Sequence, residues 1–93
     1  MALPVRSSLS HRLFKKVNFA AAAVGANSVS RQTVTVKGAR MNMAILAVKP
    51  TDEANLFLIG ARVTAKDTVE IDIWNNSAGS LTPAAQDYYF VGF

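Results

Sequence analysis

The stretch Thr68-Val69-Glu70-Ile71-Asp72-Ile73-Trp74 decides the fold, because its apolar and polar residues alternate one by one. Successive side chains of a β-strand point to opposite faces, so alternation of this kind is typical of a strand with one buried and one exposed face. The inner face would hold Val69, Ile71 and Ile73, and the outer face would hold Glu70, Asp72 and Trp74. The short connection Ala65-Lys66-Asp67 precedes it, so we expect a hairpin with the strand before.

Short strands separated by turn residues extend from this hairpin in both directions. Gly, Asn, Pro and Asp punctuate the chain between them, as in all-β domains. The candidate strands are Val17–Val24, Ser30–Lys37, Met41–Val48, Asn55–Ala65, Thr68–Trp74 and Tyr88–Phe93. The sequence therefore predicts an all-β domain over residues 17–93, a small antiparallel β-sandwich of about six strands with a jelly-roll or Greek-key-like connection pattern.

Residues 1–16 differ from this domain in charge. They contain Arg6, Arg12, Lys15 and Lys16 and no acid, which accounts for the whole formal net charge of +4. Leu9, Leu13 and Val17 recur every four residues, which indicates a short amphipathic helix over 8–16; a flexible basic tail is the alternative. We expect an N-terminal basic arm, residues 1–16, that contacts a partner through Arg6, Leu9, Arg12, Leu13, Lys15 and Lys16.

Several function classes are disfavoured by composition. The chain of 93 residues has no cysteine and a single histidine, which leaves no thiolate or two-histidine metal site. It has neither a nucleophile-elbow motif nor a phosphate-binding glycine loop. No apolar run approaches the ~18 residues of a membrane span. We therefore expect no enzyme activity, no cofactor, no metal and no membrane insertion.

Three local features have simpler interpretations than the functional ones they suggest. Glu70 and Asp72 share a strand face and could work as paired carboxylates or cation ligands, but a solvated strand face is favoured. Asp52-Glu53 is interpreted as a turn whose charges favour solubility. Asn75-Asn76-Ser77 matches a glycosylation sequon, but these residue types are also typical of turns, and the turn interpretation is favoured. Lys15-Lys16 before Val17–Val24 imitates a signal peptide, although the apolar stretch is short and contains Asn18.

Partner binding is favoured by the distribution of apolar residues. Met41–Val48 and Leu56-Phe57-Leu58-Ile59 are apolar on both faces, whereas an antiparallel strand normally has one wet face. Either another chain covers these strands or they carry some ordinary exposed apolar residues. Aromatic residues favour interfaces, and the candidates are Trp74, Tyr88, Tyr89 and Phe93. Nucleic-acid binding is not expected, because the domain after residue 16 has balanced charge.

The second half of the chain resembles a known module. It is similar to a small β-sandwich module of tailed-phage virion proteins. The residues that carry the resemblance begin with Gly60-Ala61-Arg62-Val63-Thr64-Ala65 and the alternating strand, and continue with Asn75-Asn76, Ser77-Ala78-Gly79-Ser80, Pro83 and the closing Tyr88-Tyr89-Phe90-Val91. The resemblance covers about residues 17–93 and leaves the basic arm outside it.

That resemblance carries functional expectations. It implies a structural virion protein on the capsid exterior, a decoration or cement protein that binds the major capsid protein and bridges neighbouring capsomers as a homotrimer. A tail, neck or fibre-tip module, with host glycan as a ligand, is the alternative.

Overall fold

The computed structural model describes residues 12–93, which form six strands and contain no helix. The strands are β1 (Leu13–Phe19), β2 (Ser28–Thr35), β3 (Ile45–Val48), β4 (Leu56–Ala65), β5 (Thr68–Asn75) and β6 (Gln86–Gly92). They make two three-stranded antiparallel sheets packed face to face, which confirms the all-β sandwich prediction.

Each sheet is organised around one central strand. Sheet 1 has the order β1-β6-β3, and sheet 2 has the order β2-β5-β4. The predicted hairpin joins β4 to β5, and every other connection passes from one sheet to the other. The alternating stretch Thr68–Trp74 thus lies in β5, the central strand of sheet 2, where it pairs with both neighbouring strands.

The core lies between the two sheets and follows the alternation of the sequence. Val69, Ile71 and Ile73 of β5 are fully buried, and Tyr88 and Phe90 of β6 face them from sheet 1. Full burial of an aliphatic or aromatic side chain of this size stabilises a fold by about 2 kcal/mol. The two central strands therefore supply the four largest fully buried side chains of the described core, Tyr88, Phe90, Ile71 and Ile73.

The first strand begins earlier than the sequence suggests. Leu13–Lys16 belong to β1, where Leu13 lies opposite Gly92 of β6, so the predicted helix over 8–16 is wrong for these residues. A spacing of four fits the strand period of two as well as it fits a helix, and pairing with β6 decides between them. The sandwich thus begins at Leu13 instead of residue 17, and residues 1–11 lie outside the described part of the chain.

The third strand is shorter than predicted. Met41 and Asn42 form a turn in which Asn42 has a φ of 68°, and the Met43 N–H donates to the Arg40 carbonyl at 3.2 Å. Asparagine tolerates this left-handed backbone better than other non-glycine residues. The strand therefore starts only at Ile45.

The β4–β5 hairpin turn is fastened to the segment that follows β2. Asp67, with a φ of 58°, accepts a hydrogen bond on its carboxylate from the Gly38 N–H at 2.9 Å. Its own N–H donates to the Ala39 carbonyl at 2.8 Å. These bonds hold the segment 37–40 at the end of the sandwich where β1 begins and β6 ends.

Candidate interaction surfaces

The outer face of sheet 1 carries an apolar group that we call the tyrosine patch. It consists of Phe14, Leu46, Val48, Tyr89 and Val91. The register aligns Phe14, Val91 and Leu46 in one row across the three strands and places Tyr89 beside Val48 in the next. The rings of Phe14 and Tyr89 stack with their centroids 6.2 Å apart. Leu46 is 62% exposed, so this face presents apolar surface to the outside.

The outer face of sheet 2 carries a second apolar group, the tryptophan patch. It consists of Val29, Phe57, Ile59 and Trp74. Val29, Trp74 and Phe57 lie in one row across the sheet, and the rings of Phe57 and Trp74 are 5.7 Å apart. Ile59 lies at a β-bulge between Leu58 and Gly60 and is directed outward. Trp74 is 38% exposed, which leaves part of the indole accessible at the centre of this patch.

A network of ion pairs fills the other half of that face. Arg62 contacts Glu70 at 2.8 Å and Asp72 at 3.4 Å, and Arg31 contacts Asp72 at 3.7 Å. The two carboxylates that share a strand face are thereby neutralised by two arginines from the flanking strands. Within residues 12–93 no group of acidic or histidine side chains has the arrangement of a metal site. This half of the face is polar and electrically balanced.

A partly buried polar cluster holds the β3–β4 connection against the segment before β6. The Glu53 carboxylate accepts hydrogen bonds from Lys49 Nζ at 3.0 Å, the Ala84 N–H at 2.9 Å and Gln86 Nε2 at 3.2 Å. Gln86 in turn accepts from the Thr51 N–H at 2.9 Å. Glu53 was interpreted from the sequence as a solubilising turn residue; in the fold it is the centre of this cluster.

The cluster controls the ionisation of Glu53. Burial raises the pKa of this carboxyl, but the hydrogen bonds from Ala84 and Lys49 outweigh burial, so that the pKa of Glu53 lies below its ordinary value. The Lys49 side chain is only 5% exposed, so its charge acts on Glu53 with little screening by solvent. The folded state therefore favours the carboxylate form.

Asn75 holds the long β5–β6 connection against the rest of the sandwich. Its side chain is fully buried, and its Nδ2 donates to the Val24 carbonyl at 3.0 Å and to the Gly79 carbonyl at 2.8 Å. Its Oδ1 accepts from the Ser77 hydroxyl at 2.7 Å. A side chain enclosed in this way cannot carry a glycan in the folded protein. The residues of the sequon instead stabilise the turn that follows β5 through these hydrogen bonds.

The predicted partner-binding residues are distributed unevenly over the fold. Arg6 and Leu9 lie outside the described residues. Arg12, Lys15 and Lys16 are exposed, and so is Phe93, while Trp74 and Tyr89 lie in the two outer patches. Leu13 and Tyr88 lie in the core, Leu13 at 7% exposure and Tyr88 at 0%, and neither can contact a partner in this fold.

Sequence reasoning passed over two members of the interaction surface. Phe14 was assigned to the arm, yet it lies on the outer face of sheet 1 because β1 starts at Leu13. Lys15 interrupts the apolar alternation between Leu13 and Val17, so the local pattern does not place Phe14 on a strand face. Val29, which lies before the predicted second strand, joins the tryptophan patch because β2 begins at Ser28.

The Tyr88 hydroxyl has no hydrogen-bond partner among residues 12–93. Burial, together with the nearby charge of Glu53, raises the pKa of this phenol, so it stays neutral. We expect Tyr88→Phe to keep the fold and to raise the free energy of unfolding by about 1 kcal/mol, because it removes an unpaired buried polar group without changing the ring. Chemical denaturation checks this, and a loss of stability would contradict it.

The chain was compared with family models, curated proteins and solved structures. No family model, no curated protein and no solved structure matches it. Residues 12–93 also contain no helix of the length and hydropathy needed to cross a membrane. The features of the described residues that bear on function are the two patches, the ion-pair network and the charges around them.

Proposed function

We propose that this chain is a structural, non-enzymatic protein of a tailed-phage particle: a decoration protein that binds the outside of the capsid and bridges neighbouring capsomers as a homotrimer. The observation that supports it is the presence of apolar patches on both outer faces of a small sandwich. Contiguous apolar surface rimmed by polar residues marks protein–protein contact sites. The resemblance to the phage sandwich module supplies the setting.

Two patches allow one molecule to hold two partners. The tyrosine patch and the tryptophan patch lie on the outer faces of opposite sheets, so they point in opposite directions. A molecule with contact surfaces on opposite sides can bind a neighbouring copy and the shell at the same time. Bridging requires this arrangement, whereas a single patch would support only one contact.

The charged residues around the two patches differ, and this difference supports a different partner for each patch. The tryptophan patch adjoins the balanced ion-pair network, so two copies can approach through this face without net repulsion. The tyrosine patch is bordered by Arg12 and Lys16, which form no ion pair within residues 12–93 and outnumber Asp87, the acid that the register places on the same face. This face therefore has a net positive charge, and copies would repel one another there. Self-association through sheet 2 and shell contact through sheet 1 follow from this difference.

The proposed mechanism is mechanical. Each bound copy adds buried surface across a seam between capsomers, and a stable contact of standard size buries about 800 Å² on each partner. The free energy of that burial opposes opening of the seam by the pressure of packaged DNA. Many equivalent copies would share the load.

Charge inserted into the tryptophan patch is expected to prevent self-association. We expect the unchanged protein to sediment as a trimer of its 10.0 kDa chain, and Val29→Glu to weaken association about 100-fold, because a carboxylate would be buried without a partner. Trp74→Glu is the second variant, at the centre of the patch. Analytical ultracentrifugation over a concentration series measures the effect.

The matched control is Thr35→Glu. Thr35 is an exposed residue of β2 on the same outer face, opposite Thr68 and outside the patch. This variant makes the same substitution to glutamate and should sediment like the unchanged protein. A monomeric unchanged protein, or equal association of Val29→Glu and Thr35→Glu, would contradict the proposal.

Location on the particle is tested by stoichiometry. Quantitative mass spectrometry of purified particles should give a copy number comparable to that of the major shell protein. A few copies per particle would instead assign the chain to the tail, neck or fibre tip, and its absence from particles would overturn the virion assignment.

A further inference from the structure

One end of the sandwich carries three neighbouring depressions that share lining residues. Three depressions of about 380, 470 and 270 Å³ adjoin there, where β1 begins and β6 ends. The first and second share Arg12, the first and third share Arg40, and the second and third share Phe93. We call the three together the basic groove.

The basic groove is lined by cations and by no acid. Arg12, Lys15, Lys37 and Arg40 all line it. Arg12, Lys15 and Lys37 form no ion pair with any of residues 12–93, whereas Arg31, Arg62 and Lys49 elsewhere on the sandwich all do. Asp67 lies beside the groove, where its carboxylate accepts a hydrogen bond from the Gly38 N–H, and it offsets part of this positive charge. The side chains that line the groove nevertheless carry a net positive charge.

Apolar side chains lie between these cations. Phe14 is 70% exposed and Phe93 62%, and both line the largest depression. Met41, also exposed, lines the third. Methionine and aromatic surface next to cations fits a partner that alternates acidic and apolar side chains.

We infer that the basic groove binds an extended acidic segment of a partner protein, with carboxylates against Arg12, Lys15 and Lys37 and apolar side chains in the depressions between them. This rests on the proposed function, in which the segment would belong to the shell protein. β1 is an edge strand of sheet 1, so an extended segment can also pair with its backbone on the side away from β6.

The free edge of β1 favours a peptide over a nucleic acid. A single nucleic-acid strand could use the same cations and could stack its bases on exposed rings such as Phe14 and Phe93. An extended peptide can in addition form backbone hydrogen bonds with the edge strand β1, which a nucleic acid cannot do in the pattern of a sheet. The oligothymidylate probe below tests this preference.

Fluorescence anisotropy with the full chain tests the inference. The probe is a short fluorescein-labelled peptide of repeating Glu-Val-Ser units, and the comparison probes are a Lys-Val-Ser peptide and an oligothymidylate. We expect saturable binding of the acidic peptide that weakens as salt rises. Lys15→Glu/Lys37→Glu should weaken it about tenfold or more.

The matched comparison uses two single variants, Lys37→Glu in the groove and Lys66→Glu outside it, which change net charge equally at exposed lysines. Lys66→Glu should change the affinity clearly less than Lys37→Glu does, because its charge acts over a longer distance. Thermal unfolding of all these variants shows that they remain folded.

The outcomes test peptide binding by the groove and the proposed function independently. Equal loss in Lys37→Glu and Lys66→Glu, no binding of the acidic peptide, or tighter binding of the oligothymidylate would each overturn the inference that the groove binds an acidic segment. If particles carry the unchanged chain in high copy number, such a result leaves the decoration proposal standing. Selective peptide binding by a chain absent from particles would uphold the groove and overturn the decoration proposal.

Discussion

Asn75→Ala is expected to lower the free energy of unfolding by about 3 kcal/mol. The variant loses the hydrogen bonds of Asn75 to the Val24 carbonyl, the Gly79 carbonyl and the Ser77 hydroxyl, in a site where the side chain is fully buried. Each carbonyl keeps one other donor, the Leu81 N–H for Val24 and the Ser77 hydroxyl for Gly79. A small domain has a stability of only about 5–15 kcal/mol, so the loss is a large fraction of the total. Urea unfolding followed by fluorescence of the single tryptophan measures it.

Two further variants make that test specific. Asn75→Asp should be at least as destabilising as alanine, because a carboxylate facing two carbonyl oxygens adds repulsion to the lost bonds. Asn76→Ala is the control, since Asn76 is exposed and contributes its backbone N–H, which donates to the Asn55 carbonyl at 2.9 Å. A stability of Asn75→Ala within about 0.5 kcal/mol of the control would show that the enclosed bonds contribute little.

Glu53→Gln is expected to lower the free energy of unfolding by about 2 kcal/mol at neutral pH. The amide accepts through one oxygen only, and its NH₂ group would face the other donors of the cluster, while Lys49 would keep a poorly solvated charge without its partner. Denaturant unfolding at pH 7 measures the effect. Asp52→Asn, at the exposed neighbouring residue, is the control and should change stability by less than about 0.5 kcal/mol.

The same variant should change the response to acid. Because the pKa of Glu53 is lowered in the folded state, its stabilisation is complete above the ordinary value of 4.5 and is lost as pH falls through the lower, folded-state value. The unchanged protein should therefore lose stability below about pH 4.5 more steeply than Glu53→Gln does. Parallel stability curves between pH 6 and 3 would contradict the role assigned to Glu53.

The fold could be predicted from the sequence where local pattern and tertiary contact agree. The alternation of β5 is strict, and burial of Val69, Ile71 and Ile73 between two sheets is its direct consequence. The β4–β5 hairpin could also be predicted from the sequence, because its turn is too short for any other connection. These features depend on neighbouring residues alone.

The features that sequence reasoning missed depend on distant residues. The start of β1 is decided by pairing with β6, more than seventy residues later in the chain, and a spacing of four cannot distinguish a helix from a strand. Glu53 becomes a structural residue only because residues 84 and 86 return to it. No local pattern signals such a contact.

The placement of Leu13 within β1 decides where a shortened version of this chain can begin. A truncation that removes residues 1–16 would delete more than half of an edge strand. It would also remove the Leu13 side chain, whose Cδ1 atom would lie 3.0 Å from a Cβ atom added at Gly38. If that fragment failed to bind particles, the cause could be unfolding of sheet 1 just as well as the loss of the N-terminal basic residues. A fragment that starts at Arg12 keeps the strand intact and isolates the contribution of the preceding eleven residues.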